Sequence, residues 1–221
     1  MPQLRELYDS HSAYWRDMSR VIPALASIAA FAAGVFADYG ATIYASARAS
    51  NSVTDIILSN TPVYDVDGFF VYGAMALIVF IFGVCVLNPR RIPFTLYSLA
   101  VLFFIRAAFI TLTHLGPFPD QTSITASESI GIYFSKFFFG DDLFFSNHTA
   151  IPYMMALVYW HRTWLRYIFL AWSVAFAITV LLGHIHYSID VASAYFITYS
   201  IYRFAIWAFP REYALFHEYS N

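Results

Sequence analysis

Charge is scarce in this chain: Asp, Glu, Lys and Arg make up 12% of 221 residues, against 60% hydrophobic and 20% aromatic. Soluble domains carry about 25% charged residues, so the composition excludes that class and indicates an integral membrane protein. Lysine is almost missing, Lys136 being the one example, and no basic run is present to track a phosphate backbone. With a net charge of -2, a nucleic-acid partner is excluded. Cysteine is single. Cys85 lies in an apolar run, so no intrachain disulfide can form and the thiol reads as inert, facing lipid or core. Internal repeats and low-complexity tracts are also lacking. A cleavable signal peptide is not expected, because the first apolar run is longer than a signal core.

What the chain does have is apolar runs, at Val21–Ala47, Phe69–Leu87, Phe94–Leu115, Thr149–Trp160, Leu165–Gly183 and Tyr187–Phe209. Most approach the ~20 residues of a helical membrane span; the fourth is short and needs His161 and Arg162 at headgroup depth to extend it. Pro23, Pro93 and Pro152 fall in first helical turns, where the missing N–H costs little. The expected fold is all-α and polytopic, a bundle of about six transmembrane helices in one domain over residues 21–221. Residues 1–20 set Arg5, Glu6, Asp9, Asp17 and Arg20 among Leu4, Leu7, Tyr8 and Trp15, which suits an interfacial amphipathic helix. Ala49–Gly68 reads as a polar loop.

Under this layout Arg5, Arg16, Arg20, Arg90, Arg91, Arg162, Arg166, Arg203 and Arg211 share one side, and only Arg48 and Lys136 fall opposite. The positive-inside bias then places both termini in the cytoplasm. His148 opens the fourth span and His186 and Asp190 open the sixth, both at the outer face, so the three groups can converge there. The third span ends on that face, with Arg106 about nine residues, roughly 13 Å, below its end. Ionisable side chains in hydrocarbon are costly and mark function by default; for Arg106 the cost is roughly 2.5–3.5 kcal/mol, which a phosphate or Asp142 would offset.

His186 and Asp190 are spaced i, i+4, which on a helix stacks the carboxylate beside the imidazole, fixes its tautomer and leaves the other nitrogen nucleophilic. At the start of the fourth span, Ser146 or Asn147 can cap the helix, whose free N–H groups attract phosphate. His148 is then placed to protonate a departing alkoxide. Phosphoryl transfer needs cationic or donor groups around the non-bridging oxygens and an in-line attacker, and two opposed histidines with Arg106 supply these.

The runs F-G-D-D-L-F-F-S-N-H-T at Phe139–Thr149 and H-I-H-Y-S-I-D-V at His184–Val191 closely resemble the two catalytic motifs of the sphingomyelin synthase family, a lipid phosphotransferase branch of the type 2 phosphatidic acid phosphatase superfamily. R-A-A-F-I-T-L-T-H-L-G-P at Arg106–Pro117 looks like a third motif of that family, and the resemblance covers roughly Phe69–Trp207. It implies a triad of His148, His186 and Asp190 on the exoplasmic face, with no cofactor and no metal. His186 would attack phosphorus, Asp190 would activate it, and His148 would assist the leaving diacylglycerol and then deprotonate the acceptor. The implied partners are a phospholipid donor and a lipid alcohol acceptor, ceramide- or diacylglycerol-like, in the bilayer. Asp142 stands at a family aspartate, Asp141 at a glycine and Asn147 at another glycine. The broader phosphatases carry a K-x6-R-P run and an arginine before the second histidine; this chain has neither, and Val180 takes that arginine's place. That pattern suits a monoanionic diester better than a monoester dianion.

Supporting or phosphate-binding roles fall to Arg106, Asp142, Ser146, Asn147, Thr149, His184 and Tyr187. His184 reads equally as a hydrogen-bonding support or a direct participant, Arg106 alternatively as a brace of the bundle, and Asp141 and Asp142 as helix caps or, with His148, metal ligands. His11, His114, His161 and His217 read as interfacial or solvated. Two alternatives to transfer stand: hydrolysis of a lipid phosphoester at the same site, and a non-catalytic lipid-binding protein. The short termini suggest a minimal, bacterial form with its site in the periplasm.

Overall fold

Polar caps and prolines divide the chain into helices. The structure, a computed structural model, describes residues 2–119, 121 and 144–217. Helix α1 spans Pro2–Arg16, and Asp17 separates it from α2, Met18–Ser46, by accepting the Ser19 N–H at 3.0 Å and pairing with Arg20. Helix α3 covers Asp67–Val86; Asn88 then caps a tight turn at Pro89–Arg91 that feeds α4, Ile92–Leu112. Beyond lie α5, Asn147–Val158; α6, Thr163–Leu182; α7, Ser188–Ala208; and α8, Pro210–His217. Among the described residues there is no strand. The protein is all-α, and among the described residues four helical stretches, Met18–Ser46, Asp67–Val86, Pro89–Leu112 and Thr163–Leu182, are long and apolar enough to cross a membrane.

All six expected helices occur, with corrections: α7, at 21 residues, is long enough to span but too polar to count among the spans, and Pro23 and Pro152 lie inside α2 and α5 rather than in their first turns. Helix α5 has 12 residues, about 18 Å, too short for a ~30 Å hydrocarbon core. It is instead enclosed: Ala150, Pro152, Met154, Met155, Ala156, Leu157 and Val158 are all buried, the behaviour of a helix apolar on every side. Helix α4 ends at Leu112 rather than Leu115, so Arg106 lies six residues, about 9 Å, below that end. The expected single segment over residues 1–20 breaks at Asp17. Helix α8 was not among the expected elements; its Phe216 is buried against Phe94 and Tyr159.

The most extensive helix pair is α2 with α4. Along α2 the buried residues are Ala24, Ser27, Gly34, Asp38, Ala41 and Ala45, one helical stripe of small side chains that lets backbones approach, as membrane helix pairs require. A Cβ on Gly34 would sit 3.1 Å from the Ala100 carbonyl oxygen. Asp38 is the one ionisable residue on this stripe, aimed into α4.

The loop between α2 and α3 is tied down at many points. Ser50 donates through its N–H and hydroxyl to the His114 carbonyl, Gly116 N–H reaches Asn51 O, and Tyr64 N–H reaches Leu182 O at 2.9 Å. Gly116 allows this approach, since a Cβ there would collide with the Ser50 carbonyl oxygen. The loop therefore lies against the ends of α4, α6 and α7, where the motif residues are.

Candidate active site

Two turns carry the histidines. In the first, Phe145 is fully buried at φ 43°, a left-handed conformation that costs a bulky L-residue roughly 1–2 kcal/mol. It is held from two directions: Arg106 Nε donates to the Phe145 carbonyl oxygen at 3.1 Å, and the following Ser146 N–H reaches the Asp190 carbonyl oxygen at 3.4 Å. Ser146 takes the N-cap position of α5, as expected, but its hydroxyl makes no capping bond. His148 is then the second helical residue, its ring packed at a tilt of 32° against Phe70 (centroids 4.2 Å apart) and near Phe176. His148 lies within electrostatic reach of His186 and Arg106.

Arg106 is 3% exposed, and its Nη1 lies 2.8 and 2.9 Å from the two carboxylate oxygens of Asp38. Asn147 Nδ2 donates to the same carboxylate at 3.2 Å. Asp38 is thus the observed counter-charge of the intramembrane arginine; the expected one, Asp142, lies outside the described residues, as does Asp141.

In the second turn the N–H groups of Ile185 and His186 fold back onto the Val180 carbonyl oxygen at 2.8 and 3.4 Å, and His184 adopts φ 52°. His186 precedes α7 by two residues, so the i, i+4 spacing does not stack it with Asp190 along a helix face. Instead Asp190, third residue of α7, accepts the Tyr187 N–H at 3.1 Å, and His186 Nδ1 stands 3.6 Å from the same Oδ2. That separation is beyond hydrogen-bond range, and catalytic hydrogen bonds that are long in the free enzyme tighten when substrate binds.

His184 and Tyr187 brace the loop between α2 and α3. His184 Nε2 lies 3.1 Å from the Thr61 carbonyl oxygen and its ring meets the edge of Phe118, while the Tyr187 hydroxyl donates to Gly116 O at 2.9 Å and accepts the Val53 N–H at 3.2 Å. Asp55 joins them. One carboxylate oxygen accepts the Ser188 N–H at the start of α7 at 2.7 Å, and the other accepts the N–H groups of Ile57 and Leu58. Burial alone would raise the Asp55 pKa, but these bonds, led by Ser188, outweigh it and hold the carboxyl below the usual range.

Buried side-chain atoms without a hydrogen-bond partner among the described residues include Ser146 Oγ, Asn147 Oδ1, Thr149 Oγ1, His186 Nδ1 and Asp190 Oδ1. Buried polar atoms are ordinarily satisfied, and this concentration on the two turns fits a site that completes its bonds with a polar ligand. Beside it a cavity of about 280 Å³ opens among α2, α3, α4, α5 and α6. Asp38, Arg106, Asn147 and His148 form its polar wall; the remainder is largely apolar, including Phe31, Leu77, Ile81 and Phe103. His186 and Asp190 do not line it; of the three motif residues His148 alone does.

The residues that sequence reasoning missed are Asp38, Asp55 and Phe145. Asp38 carried the same signal as Arg106, a charge inside an apolar run. Asp55 looked like any loop acid, and nothing in the composition marks the left-handed turn at Phe145.

A family model described as PAP2 superfamily C-terminal matches residues 140–207, which contain His148, His186 and Asp190 but neither Asp38 nor Arg106. That superfamily typically comprises phosphatases and phosphotransferases acting on lipid substrates in membranes. The match does not single out its sphingomyelin synthase branch. No curated protein and no solved structure matches the chain.

Proposed function

We propose that the protein is a membrane lipid phosphotransferase that moves a phosphate-linked headgroup from a glycerophospholipid to a lipid alcohol, its site on the non-cytoplasmic side. The observation that carries this reading is that His148 lines a largely apolar cavity and lies within electrostatic reach of His186, itself 3.6 Å from Asp190. A lipid chain or lipid alcohol can occupy such a cavity, whereas water is disfavoured there.

His186 attacks phosphorus through the nitrogen away from Asp190, forming a P–N bond as the P–O bond to diacylglycerol breaks. His148 gives its proton to the departing alkoxide. The Asp190 carboxylate, 3.6 Å from Nδ1, stabilises the positive charge that the attacking ring acquires. In the second half, neutral His148 takes the acceptor's hydroxyl proton, the new P–O bond forms, the P–N bond breaks and His186 returns as neutral imidazole. Donor groups of the α5 N-terminus offer hydrogen bonds to the non-bridging oxygens.

The test gives purified protein labelled phospholipids with and without ceramide and diacylglycerol. A labelled headgroup on a new lipid supports transfer. Release of the headgroup into water, unchanged by acceptor, replaces transfer with hydrolysis at the same site.

A further inference from the structure

We propose that Asp38 is a positioning residue for the proposed reaction, acting through Arg106 and Asn147 to hold the turn that aims His148. The inference rests on the reading of His148 as general acid and base. Its basis is a connected set of bonds. Asp38 accepts Arg106 Nη1 through both oxygens at 2.8 and 2.9 Å and Asn147 Nδ2 at 3.2 Å. The same guanidinium donates through Nε to the carbonyl of Phe145, whose φ is 43°. Thus one carboxylate, from a helix outside the matched family region, fixes the guanidinium that restrains a strained peptide and also fixes the residue immediately before His148. Left-handed bulky residues persist only where surrounding contacts over-determine them. With Nη1 on Asp38 and Nε on the Phe145 carbonyl, the guanidinium braces this turn.

Phosphate binding by Arg106 makes the opposite prediction. If Arg106 mainly held substrate, Asp38→Asn would remove a competing anion and strengthen substrate binding. A strut that loses its anchor instead misplaces the general acid, which affects the chemical step and leaves binding alone. Misplacement by about 1 Å can cost on the order of 10²-fold.

The experiment measures kcat and KM for Asp38→Asn, Asp38→Glu and the double variant Asp38→Asn/Arg106→Gln, in full-length protein in detergent, with His148→Ala and His186→Ala alongside. A drop in kcat on the order of 10²-fold at unchanged KM is expected for Asp38→Asn, and a similar drop for the double variant, which removes both charges of the Asp38–Arg106 pair. A second substrate, a nitrophenyl phosphodiester whose leaving group needs no proton, should largely erase the Asp38→Asn defect in the initial burst of nitrophenol. A purely structural role would not produce that rescue. If Asp38→Asn fails to fold, Asp38→Glu carries the test: it keeps the charge, displaces the guanidinium by a methylene, and should lower kcat for the natural leaving group only. Full kcat in the folded variants, or a lowered KM with kcat intact, overturns the inference. Undiminished activity in His148→Ala or His186→Ala would overturn the proposed function itself, a separate and distinguishable failure.

Discussion

The two histidine turns solve one problem by different means. The turn before His148 is held from inside the bundle, by a buried ion pair between α2 and α4 that reaches the Phe145 carbonyl. The turn around His186 is held from outside, by a loop whose Asp55, Thr61 and Val53 bond to Ser188, His184 and Tyr187. Both contain a non-glycine residue at positive φ. A buried pair loses its balance when either partner is removed, because an uncompensated charge is left behind. A loop held by several bonds loses them one at a time. The first turn should therefore break sharply, and the second should degrade in steps.

The largest effects test whether the turns share one site. His186→Ala and Asp190→Ala should abolish turnover in folded protein, and His148→Ala should lower kcat by roughly 10²–10⁴-fold, the range of general acid–base catalysis; steady-state assays of purified variants check this. Undiminished activity in any of the three separates the turns. Next comes Arg106→Gln, which leaves Asp38 buried without its ion-pair partner and should cost about 3–5 kcal/mol of stability, read as thermal unfolding in detergent. Recovery of most of that loss in the Asp38→Asn/Arg106→Gln double variant would sharpen the contrast with the outer turn.

Asp55→Asn probes the second turn with a smaller effect, about 1–2 kcal/mol for weakened bonds to a charged acceptor. The folded-state pKa of Asp55 lies below its unfolded value, so its charge-dependent contribution is complete above about pH 4 and fades as pH falls through the lower folded value. The stability gap between parent and variant should therefore close in acid; a gap independent of pH would assign the effect to something other than the carboxylate. Smallest is Tyr187→Phe, which removes one donor to Gly116 and one acceptor from Val53. It should cost about 1 kcal/mol with kcat little changed, measured by the same unfolding and turnover assays.

Much of this organisation was legible in the sequence, unevenly. Apolar runs locate helices because burial and lipid exposure both demand them, so the six main helices were found within a few residues. They do not say which way a helix faces. The short run at Thr149–Trp160 is short because α5 is enclosed by protein, and length alone could not separate that from a span. The motif residues His148, His186 and Asp190 were readable as rare polar groups at helix starts, yet the i, i+4 argument assumed a helix that begins only at Ser188. Asp38 was the avoidable omission: an acid on a stripe of small residues facing a span that holds an arginine predicts their pairing. Helix α8 was missed although it opens with Pro210 at a favourable first position, because an eight-residue segment carries too little periodic signal.

The central claim is that His186 takes the phosphoryl group. Donor phospholipid labelled at phosphorus, mixed with protein and quenched in alkali within a single turnover, should leave the label on the peptide containing His186, stable to base and lost in acid. Product formed with no protein-bound label, or with the label on His148, would contradict the account.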